Sequence, residues 1–147
     1  MWKPIIFLIL LCWGCTTAQQ VICPCDAPEQ ILRDNHMLTF SAEAVIDNQS
    51  AKPSITLSVT LFTLDKTSFP EGATIGEFYI RSTVPSREAY RGRFVNPAID
   101  REAGVAVCTA QNLPAKWVLG EQIDIAVGLI GPNGVIQFIK KEKITIR

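Results

Sequence analysis

The sequence is poor in the residues that catalytic and metal sites use most. It has a single histidine, His36, among 147 residues. Because a nucleophilic site needs its histidine hydrogen-bonded to the nucleophile, the nearness of Ser41 and Cys25 in the sequence is no evidence for one. Cys23-Pro24-Cys25 lacks the two-residue spacer of common zinc motifs, so a zinc site would have to recruit carboxylates from elsewhere. We therefore predict no catalytic residue, no metal site and no cofactor.

Charge imbalance and phosphate-binding loops are missing as well. Lysine and arginine number 14, and so do aspartate and glutamate, which leaves no electrostatic footprint for nucleic acid. No glycine-rich loop has a phosphate-binding pattern, and no pair of carboxylates stands out as catalytic. We expect neither an enzyme, nor a nucleic-acid-binding protein, nor a protein with a small-molecule substrate. With 48% hydrophobic residues, the chain is too apolar to be disordered.

The longest apolar run, residues 5–11, lies near the N-terminus and follows Lys3. A transmembrane helix needs about 20 apolar residues, so this run is too short to span a bilayer. Its length and its basic flank are typical of a signal peptide. We therefore predict an exported protein, with a leader at residues 1–14 that takes no part in the fold.

Two processing sites compete after this run. Gly14-Cys15 resembles the end of a bacterial lipobox, in which the cysteine becomes acylated, and the leader ends almost directly after the apolar run. We therefore predict a lipid anchor on Cys15, followed by a tether and an irregular segment at residues 15–35. The alternative is cleavage after Ala18, since Thr16 and Ala18 are small residues of the kind that signal peptidase prefers.

The clearest structural pattern lies at residues 54–65. Apolar residues alternate there with mostly hydroxyl-bearing ones, and the apolar set is Ile55, Leu57, Val59 and Leu61. Side chains of successive strand residues point to opposite faces, so this pattern predicts a strand with one apolar face. We expect it to be a central strand, with residues 36–47 as its hairpin partner across a turn at residues 48–53.

Shorter alternating segments complete the predicted fold. We expect strands at residues 74–84, 90–95, 103–110, 123–130 and 135–139, an edge strand at 144–147, and one helical turn at 29–33. Residues 131–134 contain Asn133-Gly134, the strongest short-range hairpin signal. Regular turns with almost no helical periodicity predict an antiparallel β-sandwich of seven to eight short strands over residues 36–147.

The cysteines predict one disulfide. If Cys15 carries lipid, the folded part holds Cys23, Cys25 and Cys108, so at most one bridge forms and one thiol remains. An exported protein permits a bridge from Cys23 or Cys25 to Cys108. Such a bridge would close a loop of about 80 residues and stabilise the fold by about 4 kcal/mol. Which of the two N-terminal cysteines takes part is left open.

Several short segments between residues 53 and 110 form a pattern that resembles a known family. They are, in chain order, Leu64-Asp65 at the end of an alternating strand, Ile75-Gly76-Glu77, Arg93-Phe94, Asn96-Pro97-Ala98-Ile99-Asp100 and Val105-Ala106-Val107. In this arrangement the chain resembles the type III secretion pilotin lipoproteins and related small bacterial outer-membrane lipoproteins. The resemblance implies a β-sandwich held on the periplasmic face of the outer membrane by an acylated Cys15.

The same resemblance implies a function and a partner. A pilotin binds the C-terminal segment of a secretin and helps it reach and assemble in the outer membrane. Such a segment would dock in a groove as an amphipathic helix, or on a sheet edge as an added strand. Trp117, with Leu113 and Leu119 nearby, is the first candidate for a partner contact, because aromatic anchors dominate interface energetics. The alternative is that Trp117 is a core residue that caps the sandwich.

A rival interpretation belongs to a different class. Asn48-Gln49-Ser50 is a formal N-glycosylation sequon in a predicted turn. A chain cleaved after Ala18 and glycosylated at Asn48 would be a secreted β-sandwich glycoprotein that acts as a ligand or inhibitor. Acylation of Cys15 separates the two interpretations.

Overall fold

The computed structural model describes residues 21–85 and 87–147, which form two antiparallel β-sheets packed together. The predicted leader, Cys15 and the Ala18 cleavage site lie outside the described residues. The β-sandwich is confirmed, with nine strands within these residues where the sequence predicts seven or eight. The strands are β1 (Ile31–Arg33), β2 (His36–Asp47), β3 (Ser54–Thr63), β4 (Thr74–Ser82), β5 (Tyr90–Arg93), β6 (Ala98–Asp100), β7 (Val105–Pro114), β8 (Gln122–Ile130) and β9 (Ile136–Thr145).

The strands are divided between a five-stranded sheet A, in the order β1-β2-β3-β7-β6, and a four-stranded sheet B, in the order β5-β4-β8-β9. Strand β3 occupies the middle of sheet A, as its alternation predicts, and pairs with β2 on one side and β7 on the other. Its inward side chains are completely buried; they are Ile55, Leu57, Val59 and Leu61. The period of two therefore decides which face of β3 builds the core.

Sheet B meets this face with the apolar side chains of β4 and β8, among them Phe78, Ile80 and Ile125. In β8 every residue from 123 to 129 is buried. This burial on both faces is possible because the outward positions are small or covered. Phe138 of β9 lies over Gly128, where an added Cβ would come within 3.1 Å of its ring.

The N-terminal segment differs from its prediction. The helical turn expected at residues 29–33 is wrong, because Ile31–Arg33 forms β1 and pairs with the start of β2. The two-residue connection, Asp34-Asn35, has φ angles of 48° and 64°. This left-handed pair is the geometry of a tight hairpin, and Asp and Asn tolerate it better than most residues.

Two other segments contain more strand than predicted. The turn around Asn96-Pro97 leads into a three-residue strand, β6, and the two strands expected at 135–139 and 144–147 are one strand, β9. A bulge in β9 near Lys143, which has a φ of 57°, interrupts the alternation and explains why the sequence pattern breaks there. The predicted hairpin turn at 131–134 is confirmed, with the Gly131 amide donating to the Val135 carbonyl at 3.0 Å.

In the part of the chain that the structure describes, no helix has the length and apolar character of a membrane span.

Two leucines near the end of β3 provide a matched test of this core. Leu61 is fully buried, whereas Leu64, three residues later, is 44% exposed. Because Leu61→Ala leaves a cavity, we expect it to lower the free energy of unfolding by about 2–5 kcal/mol. Leu64→Ala should change it by less than about 1 kcal/mol. Urea denaturation of both variants measures the difference, and equal losses would contradict the assignment of the core face.

Candidate functional site

The two lateral sides of the sandwich differ in how far their outer strands are covered by other segments. On one side, β2 and β9 lie next to each other, and the segment around Pro28 and residues 146–147 cover their edges. The Lys140 amide of β9 donates to the Pro28 carbonyl at 3.0 Å. The C-terminal residue, Arg147, exchanges backbone hydrogen bonds with Ala44 and Ile46 of β2, at 3.0 and 2.8 Å. We call this the sealed side.

The opposite side lies between β5 of sheet B and β7 of sheet A, and it is not covered in this way. Strand β6 pairs with only the first three residues of β7, Val105, Ala106 and Val107. Within residues 21–85 and 87–147, no strand pairs with the later part of β7 on this side. Strand β5 is also an edge strand, paired only with β4 in the described structure. We call this the open side.

A cleft of about 420 Å³ runs along the open side. One wall comes from β5 and the residues after it, and the other from the end of β7; the lining residues are Tyr90, Gly92, Arg93, Val95 and residues 109–113. A second cleft, of about 510 Å³, meets the first at Asn112 and Leu113 and extends towards Lys52 in the β2–β3 turn. The end of β7 is therefore flanked by accessible space.

Charge along β5 is distributed unevenly. Arg91 forms an ion pair with the buried Glu77 at 2.6 Å, and the hydrogen bond to Glu77 raises the pKa of the Arg91 guanidinium. Arg93, two residues further on, is exposed and lines the cleft. It takes part in no ion pair among the residues that the structure describes. The positive charge of Arg93 is therefore available to a bound molecule.

Trp117 lies behind the cleft and not on its surface. Its side chain is 1% exposed and meets the ring of Tyr90 edge-to-face, with the centroids 6.1 Å apart. Its indole Nε1 is buried without a hydrogen-bond partner in the described part of the chain. The structure thus supports the alternative interpretation, in which Trp117 is a core residue that caps the sandwich. Because the ring of Trp117 is enclosed, it offers no surface for the direct partner contact that the sequence analysis predicts.

The two leucines predicted with Trp117 are separated by the fold. Leu113 is buried at the end of β7 and contributes to both clefts. Leu119 is 63% exposed in the loop after Trp117, next to the exposed Val118. Leu113 thus belongs to the open side, and the part of Leu119 in binding a partner stays a prediction.

Glu121 fixes the loop that carries Trp117. Its side chain is only 7% exposed and accepts hydrogen bonds from the Ser82 hydroxyl at 2.6 Å and the Val118 amide at 2.9 Å. It also pairs with Arg87 at 2.9 Å. Burial by itself raises the pKa of Glu121, but these three partners outweigh it, and the net pKa is lowered from its ordinary value of 4.5.

The cysteine pairing differs from the prediction. Cys23 and Cys25 form the disulfide, with their Cα atoms 5.1 Å apart, and Cys108 is a buried free thiol. The expected bridge from Cys23 or Cys25 to Cys108 is therefore wrong. Cys108 points into the core from β7, beside the open side, whereas the N-terminal segment packs against β9 on the sealed side. Burial raises the pKa of the Cys108 thiol to about 12.

His36 takes part in a short hydrogen-bonded chain. Its Nδ1 lies 2.5 Å from the Thr67 hydroxyl, which donates to the Asp65 carboxylate at 2.6 Å. Since the hydroxyl proton is directed to Asp65, His36 acts as donor to Thr67, which is the reverse of nucleophile activation. Among the described residues, no three His, Cys, Asp or Glu side chains come together as metal ligands.

Sequence reasoning missed the site itself. The sequence predicts a strand at residues 90–95, but it gives no sign that the later part of β7 is left unpaired beside it in the described structure. The usable signal is Asn96-Pro97, since Asn96 has a φ of 53° and Pro97 has no N–H to donate. This turn takes the chain from β5 to β6 and sets how short β6 is.

The chain matches no protein-family model, and no curated protein sequence is significantly similar to it.

The cysteine assignment predicts a specific labelling pattern. Alkylation of the native, non-reduced protein at pH 8 should leave Cys108 unmodified, because the thiol is buried and its pKa of about 12 keeps it protonated. Unfolding without reductant should expose Cys108 alone among the three described cysteines, and reduction should add Cys23 and Cys25. Peptide mapping by mass spectrometry identifies the sites. A label on Cys23 or Cys25 before reduction would contradict the pairing.

Glu121 predicts a pH-dependent stability. Because its pKa is lowered in the folded state, its stabilising effect is complete above the ordinary pKa of 4.5 and is lost as the pH falls through the folded-state value. We expect Glu121→Gln to lower the free energy of unfolding by about 1–3 kcal/mol at pH 7, and by progressively less below pH 4.5. Denaturant titrations at several pH values measure this. Glu88→Gln, at an exposed glutamate, is the control, and an equal effect of both variants would refute the assignment.

Proposed function

We propose that this chain is an outer-membrane-anchored lipoprotein that acts as a pilot for a secretin in a type III secretion system. In this function it binds the C-terminal segment of the secretin and aids its localisation and assembly. The observation that carries the proposal is the open side of the sandwich, where an unpaired stretch of β7 lies beside an accessible cleft. A sheet edge next to a groove is a recurrent site for capturing a peptide segment.

The position of the described N-terminal segment agrees with this function. The segment after residue 21 packs on the sealed side, through Pro28 against β9 and through β1 against β2. Cys15 precedes residue 21 by six positions, which an extended chain covers in about 20 Å. An acylated Cys15 would therefore hold the sealed side near the membrane and leave the cleft facing the periplasm. Three acyl chains would make this anchor stable, since one chain alone binds only marginally.

A second candidate function has one observation in its favour. Asn48 is exposed in the turn between β2 and β3, where a glycan could be attached without disturbing either sheet. A secreted glycoprotein cleaved after Ala18, acting as a ligand or inhibitor, would use the same sandwich without a membrane anchor.

Intact mass measurement tests the anchor and separates the two candidates. The full chain is expressed with its own leader in a Gram-negative host, beside a Cys15→Ser variant. We expect a mature species that begins at Cys15 and carries the mass of three acyl chains, and we expect the variant to lack it. A soluble product that begins at Gln19 would refute the lipoprotein and favour the secreted candidate.

The pilot function is tested in cells that carry the natural secretin. We expect secretin multimers in the outer-membrane fraction to be lost when this gene is deleted, and to return with the wild-type chain but not with Cys15→Ser. Fractionation followed by detection of the secretin multimer measures this. Normal multimers in the deletion strain would refute the proposed function.

A further inference from the structure

We propose that the open edge of β7, from Cys108 to Gln111, binds its partner as an added β-strand, with an acidic side chain of that strand opposite Arg93. The inference rests on the proposed function for the identity of the partner, the C-terminal segment of a secretin. It adds the conformation in which the segment is held and the chemistry that recognises it.

The direction of the backbone groups in β7 provides the first argument. The Gly104 carbonyl accepts from the Thr63 amide of β3 at 3.0 Å. The backbone N–H and C=O groups of one strand residue point to the same edge, and the edge alternates from residue to residue. The backbone groups of Val105 and Val107 therefore point away from β3, towards β6. The β3–β7 register is regular as far as the pair Leu57–Ala110, so the backbone groups of Thr109 and of the next outward residue, Gln111, turn to the same outer edge. Beyond Gln111 a bulge at Asn112, which has a φ of 57°, shifts the register to the pair Ile55–Leu113. Strand β6 pairs with β7 no further than Val107, so no strand of the described structure bonds to the outward groups of Thr109 and Gln111, and another strand can bind them.

The path of the chain before β6 provides the second argument. Ala98 is the first residue of β6, and its partner Val107 is the furthest residue along β7 that β6 reaches. Before Ala98, the residues Asn96 and Pro97 turn the chain away to β5 in the other sheet. Among residues 21–85 and 87–147, no strand therefore continues β6 alongside Thr109. The space alongside Thr109 coincides with the cleft of about 420 Å³, whose opposite wall is β5.

The side chains around this cleft define the partner. Side chains of an added strand alternate between two faces, and those facing inwards would meet Tyr90, Ala110 and Leu113. The charged residue on the wall of this cleft is Arg93, which has no ion-pair partner among the described residues. The adjoining cleft is lined by both Lys52 and Asp47, whose opposite charges offset each other. The charge of Arg93 therefore favours an acidic side chain in the added strand. A second copy of this chain fits less well, since pairing β7 with β7 would bring two Arg93 side chains to one interface.

Amide exchange tests the conformation of the bound segment. The mature lipoprotein in detergent micelles is mixed with a synthetic peptide of the C-terminal segment of the secretin encoded in the same genome. We expect the exchange of the Thr109 and Gln111 amides, followed by NMR, to slow by about tenfold or more on binding. The amides of Cys108 and Ala110, which already point to β3, should change much less. This readout requires no substitution.

Matched variants test the two contacts. Thr109→Pro removes only the outward N–H, at an edge position where proline is tolerated, so the affinity for the peptide should fall by about tenfold. Thr109→Val keeps the N–H and should bind within about twofold of the wild type. Arg93→Gln should weaken binding by about tenfold at low salt and by less at high salt, whereas Arg93→Lys should retain most of the affinity. Thermal unfolding identifies any variant that has lost its fold.

The outcomes separate this inference from the proposed function. Exchange protection on β7 together with weaker binding by Thr109→Pro supports it. Protection confined to another surface, such as the loop with Val118 and Leu119, overturns the inference and leaves the pilot function intact. If the purified protein does not bind the peptide, but deleting the gene still abolishes the secretin multimers in cells, the inference alone is overturned. Absence of binding with normal secretin multimers in the deletion strain overturns both.

Discussion

Hydrogen bonding along the sheet edges is the constraint on which the rest of this structure depends. Interior strands such as β3 and β8 have both edges paired, but each sheet also has two outer strands whose backbone groups need partners. The N-terminal segment and the last residues of the chain supply those partners between β2 and β9. On the opposite side β6 covers only the start of β7. A fold that is complete in its core is thus incomplete along one edge.

This asymmetry connects the separate features of the molecule. The sealed side, with the segment that leads to it, includes the disulfide between Cys23 and Cys25, strand β1 and Arg147. The cleft, Arg93 and the enclosed Trp117 belong to the other. Glu121 fixes the loop behind the cleft through contacts with Ser82 and Arg87, which are distant in sequence. One side is covered by segments of the chain itself, and on the other the later part of β7 has no partner strand in the described structure.

Local patterns predicted most of the fold because each depends on neighbouring residues. The alternation in β3 and in its hairpin partner β2, and the Asn133-Gly134 turn, are properties of a few consecutive residues, and the structure confirms them. The predictions failed where a strand is too short to show a period. The three residues of β1 and of β6 carry no alternation that distinguishes them from a turn, and their pairing with β2 and β7 forms them.

The amino-acid sequence was sufficient to define the sandwich, the central strand and the inward face of β3, because the hydrophobic effect acts on a period that is visible residue by residue. Pairings between distant segments were decided only in the tertiary structure. Whether Cys108 meets Cys23, whether Trp117 faces solvent, and whether β7 ends with a free edge all depend on which strands become neighbours. Alternation specifies the face of a strand but not its partner, and the candidate site lies where a partner is lacking in the described structure.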